Sequence, residues 1–166
     1  KETFRFCIPK DARNIHYMEL IRESEAVMIH LRRGDFIELQ YSVNGQYVKD
    51  SVTQIMKSQR SDRIKFFVFS DDLDWCRNNI EELGLGKYRE RTVFVEGNAG
   101  MNSYLDMYLM SLGKILIPSP NSTFSYMALL LSSTMEKCVD GLQYAYFLKH
   151  NMAGEVKIVD VTSRIL

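Results

Sequence analysis

Three cysteines in 166 residues, Cys7, Cys76 and Cys138, are too few, too scattered and odd in number for a disulfide framework or a zinc site. A reducing compartment, the cytoplasm, is the expectation. Lys+Arg and Asp+Glu both number 21, so the formal net charge is zero and no broad basic face for nucleic acid is implied. Basic residues matter here by position. Long apolar runs are absent as well: the longest, residues 127–131, falls far short of the roughly 20 residues that span a bilayer. No signal-peptide pattern is read at the start, and opening on Lys1 leads us to expect a processed or truncated piece of something longer.

What is present is a globular composition, 46% hydrophobic and 25% charged, in a length that suits one domain. Strand-like and helix-like segments alternate along it. Residues 26–31 form an apolar run, and residues 47–59 place Val48, Val52, Ile55 and Met56 on one helical face. A second strand is predicted at 65–69 and a helix at 73–83, its stripe Leu73, Cys76, Ile80 and Leu83 ending before Gly84. A third strand follows at 92–96, a helix through Met101, Leu105, Leu109 and Leu112, and a fourth strand at 114–118. A helix at 124–131 and a last strand at 155–161 complete the series, with 84–91 and 95–100 read as surface loops. Such alternation predicts an α/β fold, a doubly wound, Rossmann-like parallel sheet with helices on both faces.

In that architecture the loops after the strands share one edge, which gathers residues 32–35, 70–74 and 121–125. The first is the most informative. His30 ends an apolar strand that empties into Arg32, Arg33, Gly34 and Asp35, and paired guanidinium forks there suit a diphosphate. An ordinary solvated turn with Asp35 paired to an arginine explains the same residues. The Arg33-Gly34-Asp35 tripeptide follows the strand too directly for an adhesion loop. In the second loop Asp71 can accept from two guanine donors, while Asp72-Leu73-Asp74 has the Asp-x-Asp form of some metal sites but equally fits helix capping. In the third, Asn121, Ser122 and Thr123 either cap a helix or point hydroxyls and amides at phosphate. The glycosylation pattern they also spell is read as idle, and His16 and His150 have no ligand pattern around them.

These segments, standing here as HLRRGD, FSDDLDWC and DMYLMSLGKILIPSPNSTFS, resemble the donor-binding half of bacterial α-1,2-fucosyltransferases over about residues 26–131. The resemblance implies a GT-B fold, with this chain as the C-terminal domain that holds GDP-fucose. A Gly-Leu-Gly-Asn-Gln motif that opens the family's N-terminal domain is absent, so residues 1–166 are expected to be one donor domain without its acceptor half. Tyr126 and Met127 stand where the family has paired tryptophans, and Gly113 and Ile115 where it has Cys and His.

Carried over, Arg32 would neutralise the β-phosphate and Arg33 orient the loop, while Asp71 would read guanine. His30 would support the base or the arginine, and Ser122, Thr123 and the Phe124 amide would hold phosphate oxygens. Asp35 and Glu38 are the candidates for the general base. The implied reaction inverts the fucose anomeric carbon as a galactose hydroxyl of a glycan acceptor displaces GDP, without a metal or other cofactor. It would serve surface polysaccharide or a host-like glycan, in a bacterial cytoplasm or at the inner face of its membrane. The alternatives are another GDP-sugar transferase, acting on protein or chitooligosaccharide, and a non-catalytic nucleotide-binding scaffold.

Overall fold

The structure, a computed structural model, describes residues 7–38, 45–59, 61–120 and 122–139 together with the backbone of 157–159. Helix α1 (Ala12–Arg22) leads into strand β1 (Glu25–Leu31), the short α2 (Gly34–Glu38), α3 (Gly45–Ser58) and β2 (Ile64–Ser70). Then come α4 (Leu73–Asn78), β3 (Thr92–Phe94), α5 (Ser103–Ser111), β4 (Ile115–Ile117), α6 (Thr123–Leu131), β5 (Lys137–Val139) and β6 (Lys157–Val159). All six strands pair in parallel, in the order β3-β2-β1-β4-β5-β6.

That order explains the composition of the central strands. β1 has neighbours on both edges and helices on both faces, so every residue from Ala26 to Leu31 is buried and the strand reads as one apolar run. Its alternate side chains feed two cores. Met28 joins Tyr17, Met18 and Ile21 of α1, Leu109 of α5 and Leu129 of α6 on one face. Val27, Ile29 and Leu31 join Val48, Val52 and Ile55 of α3 and Cys76 of α4 on the other. The sheet is doubly wound, as the alternation predicts.

Three differences from the expected elements have physical causes. Helix α4 stops at Asn78 because the Asn79 side-chain amide bonds the Trp75 carbonyl at 2.9 Å. The chain still buries Ile80 and Leu83 through successive turns. Helix α1 is an addition; its buried stripe begins with a polar residue, Asn14, which hides the helical period. Strand β5 is only three residues long and carries little pattern. Of the last predicted strand, 157–159 pairs with β5, while the remainder of 155–161, Asn121 and His150 lie outside the described residues.

The chain builds β1, β2 and β3 toward one side and then crosses back to place β4 on the other side of β1. Where the order reverses, the loops leaving β1 and β4 diverge and leave a crevice at their carboxyl ends. The site sits there.

Candidate functional site

A cavity of about 820 Å³ opens at this edge. His30 and Arg32 after β1, Ser70 and Asp71 after β2, and Ser122, Thr123 and Phe124 at the start of α6 all line it. The segment from Val95 to Gly100 lines it as well, with Ser103 and Asp106 of α5. The three predicted loops therefore meet, and the 95–100 segment, expected to be a surface loop, is part of the site.

Arg32 is fixed at its backbone and shared at its head. Its N–H donates to the buried Ser119 hydroxyl at 3.1 Å, tying the end of β1 to the loop after β4. The guanidinium donates to Asp35 through Nε at 3.0 Å and Nη2 at 2.9 Å, and through Nη1 to Asp71 at 3.1 Å. Asp71 uses both oxygens on this turn, since Oδ1 accepts the Arg33 N–H at 2.8 Å. A Cβ on Gly34 would stand 2.7 Å from Asp71 Oδ2, so only glycine admits the carboxylate so close. Each Asp71 oxygen thus carries one bond and keeps a second lone pair.

Arg33 turns away from the cavity. Its guanidinium lies 3.4 Å from the centre of the Trp75 ring and donates to Asp72 at 3.2 Å, an orienter's place on α4. Asp72 also caps α4 by accepting the Trp75 N–H at 3.1 Å, and Asp74 pairs with Arg77. Both carboxylates of the Asp-x-Asp pattern are thus engaged with cations and the backbone. Neither Asp35 nor Glu38 lines the cavity; both are exposed on α2, and Asp35 is the partner of Arg32.

Helix α6 begins without a side-chain cap bond at Ser122, and Ser122, Thr123 and Phe124 at this uncapped start all line the cavity. Uncapped N–H groups and the positive dipole end favour an anion. His30 is buried against Phe124, ring centres 5.5 Å apart, with Nδ1 unpartnered. Burial pushes its pKa down to about 4 despite the nearby Asp71, so the ring is neutral at pH 7.

The residue that sequence reasoning passed over is Asp106. It stands in the DMYLMS motif, but no polar neighbour in sequence marks it as part of a site; its partner, Asn98, comes from the loop after β3 and donates at 2.8 Å. Burial raises its pKa to about 6, against the lowering effect of Asn98 and of Arg13. One wall of the cavity thus offers fixed positive charge and the other a partly desolvated carboxylate. That combination can take an anion at Arg32 and the start of α6 and a hydrogen-bond donor at Asp106.

A parallel sheet in the order 3-2-1-4-5-6 with a cavity at its switch point defines a Rossmann-like α/β fold. The model of Glycosyl transferase family 11 matches residues 1–145, and the chain belongs to that family. It is 32% identical over 114 residues to an alpha-1,2-colitosyltransferase of Escherichia coli, a match covering 65% of this chain and 37% of that protein. Among solved structures, the fucosyltransferase NodZ from Bradyrhizobium aligns with a TM-score of 0.51 at 19% identity, covering 72% of this chain and 39% of that one. POFUT1 in complex with GDP-fucose aligns with a TM-score of 0.51 at 16% identity, covering 70% and 41%. These alignments give the fold: a Rossmann-like parallel α/β sheet of the kind found in GT-B fucosyltransferases. The chain spans about two fifths of the length of these relatives.

Proposed function

We propose that this chain is the donor-binding lobe of a glycosyltransferase that moves fucose from GDP-fucose to a galactose-containing glycan through an α-1,2 linkage. The observation that carries the reading is the meeting of the Arg32 guanidinium and the uncapped start of α6 on one cavity. As the acceptor hydroxyl forms its bond to the anomeric carbon, the bond to the β-phosphate oxygen breaks and negative charge grows on departing GDP. Arg32 and the α6 amides stabilise that charge where it develops. The acceptor's proton goes to a base, which we place on the acceptor lobe, since neither Asp35 nor Glu38 lines the cavity. Charge neutralisation by arginine also makes the reaction metal-independent. Asp106, with one oxygen free of partners among the described residues, is better placed than Asp71 to accept from the base.

Colitose as the transferred sugar is the second reading, favoured by the Escherichia coli relative. Calorimetry of this chain with GDP, GDP-fucose and UDP, with and without EDTA, tests the proposal. Binding of both guanine nucleotides in preference to UDP, unchanged by EDTA, is the expected result. Equal binding of UDP, or a strict Mg²⁺ requirement, would overturn the base assignment or the metal-free assignment respectively.

A further inference from the structure

We propose that Asn98, locked by a reciprocal amide pairing with Asn14, is a positioning residue that sets how Asp106 faces the cavity and so which nucleobase the lobe accepts. This rests on reading the cavity as a GDP site.

The geometry leaves the Asn98 amide one orientation. Its Oδ1 accepts from Asn14 Nδ2 at 2.9 Å, while its Nδ2 donates to Asn14 Oδ1 and to Asp106 Oδ1, both at 2.8 Å. Flipping it would set an amide oxygen against a carboxylate oxygen and leave two acceptors facing each other. Asn14 is held in turn, its Nδ2 lying 3.0 Å from each oxygen of Asp11, the residue that caps α1. Asn14 and Asn98 are 1% and 5% exposed, so a missing partner in this chain would be costly.

Three elements therefore converge on one carboxylate. Asn98 follows Gly97, whose φ of +90° is reserved for glycine and whose carbonyl accepts from Arg13 of α1 at 2.9 Å. Fixing Asp106 Oδ1 fixes the plane of the carboxylate, and with it the direction from which a base edge can donate to it. A pyrimidine such as uracil presents a different edge. The charged or titratable groups around Asp106 are Asp11 and Arg13 of α1, His30 and Arg32 after β1, Asp71 after β2 and Glu96 after β3.

The test is calorimetry of the chain with GDP and with UDP between pH 5 and 8, for the wild type, Asn98→Asp, Asn14→Ala and Asp106→Asn. Asn98→Asp keeps the size and the bond accepted from Asn14 but loses the amide N–H donors to Asp106 and to Asn14 Oδ1. It should weaken GDP about tenfold or more and UDP by less than about twofold. The pH above which GDP binding is full should also move upward, because two adjacent carboxylates retain a proton. Asn14→Ala should lower the GDP preference less, by about threefold. Lower melting temperatures with an unchanged GDP-to-UDP ratio and pH midpoint would overturn the positioning role. If Asn98→Asp fails to fold, Asn14→Ala decides by the same ratio. Failure of the wild type to prefer GDP would instead bring down the site reading itself.

Discussion

At the Arg32 wall of the cavity charge is held near solvent, by ion pairs whose side chains are 41% exposed at Arg32, 57% at Asp35 and 26% at Asp71. At the Asp106 wall it is held by one buried amide, Asn98, which a second, Asn14, holds in place. Exposed pairs contribute between about zero and 1 kcal/mol, so a diphosphate can take Arg32 from its carboxylates at small cost. The buried amide chain cannot be exchanged so cheaply. One wall is therefore built to trade partners with an anion, and the other to hold a fixed hydrogen-bonding pattern. On the proposed reading, affinity that depends on charge and selectivity that depends on shape are assigned to different linings of one cavity of about 820 Å³.

Arg32→Ala should break this comparison most severely. Losing a hydrogen bond to a charged group costs about 1.5–3 kcal/mol, so GDP and UDP should both weaken at least about tenfold. In the complete enzyme turnover should fall by at least as much, because the bond tightens as GDP departs. Arg32→Lys should rescue little, since a point charge cannot reproduce the planar fork. Near-normal GDP affinity in a folded Arg32→Ala protein would remove the phosphate wall from the scheme.

Asp106→Asn and Asp71→Asn separate the walls by base rather than by phosphate. Asp106→Asn should cost GDP about tenfold and spare UDP, since only one base donates to it. Asp71→Asn loosens the Arg32 turn and should weaken both nucleotides alike, by a few-fold. A GDP-specific loss at Asp71 instead would return the guanine contact to the loop where the sequence first suggested it.

The same contrast has a pH signature in stability. His30 has its folded pKa depressed to about 4, so its contribution is present above the unfolded value of 6.5 and is lost as pH falls toward 4. For this fully buried ring that is at most about 3 kcal/mol. Asp106 has its folded pKa raised to about 6, so its contribution is present below 3.8 and is lost as pH rises through 6. The two slopes oppose each other between about pH 4 and 6. His30→Leu should therefore flatten the loss of stability on acidification, and Asp106→Asn should steepen it, in denaturant titrations at pH 4.5 and 7. Parallel pH profiles for both variants would show that neither group is desolvated as described.

The wall that trades partners is also the one legible in sequence. Arg32, Asp71, Ser122 and Thr123 each directly follow or open a strongly patterned element, so the doubly wound topology alone brings them to one edge. The strands β1 and β2 were readable for the same reason, being apolar runs buried on both faces. Asp106, Asn98 and Asn14 follow no such rule. Their pairing spans 84 residues between Asn14 and Asn98, and each alone looks like a solvated polar residue on a helix or loop. Buried polar networks have no local period, whereas apolar faces do. Arg33 reads as the orienter of its loop, but only the fold shows that Trp75 and Asp72 are what draw its guanidinium away.

The smallest expected effect lies just outside the comparison, at Asp35. This carboxylate is exposed, three residues from Arg32, and accepts from two of its nitrogens. Asp35→Asn removes one exposed ion pair and also removes a competitor for Arg32, two changes that offset each other when a diphosphate binds. GDP affinity should therefore change by less than about threefold, in either direction. Transfer by the complete enzyme should fall no further than that, and Glu38→Gln should have no measurable effect. The general-base alternative makes the opposite forecast. If Asp35 took the proton of the attacking hydroxyl, Asp35→Asn would leave GDP binding intact and reduce turnover by about 10²–10⁴-fold. A selective collapse of turnover at that one position would move catalysis onto the exposed wall and make Arg32 the partner that lowers the basicity of its own base.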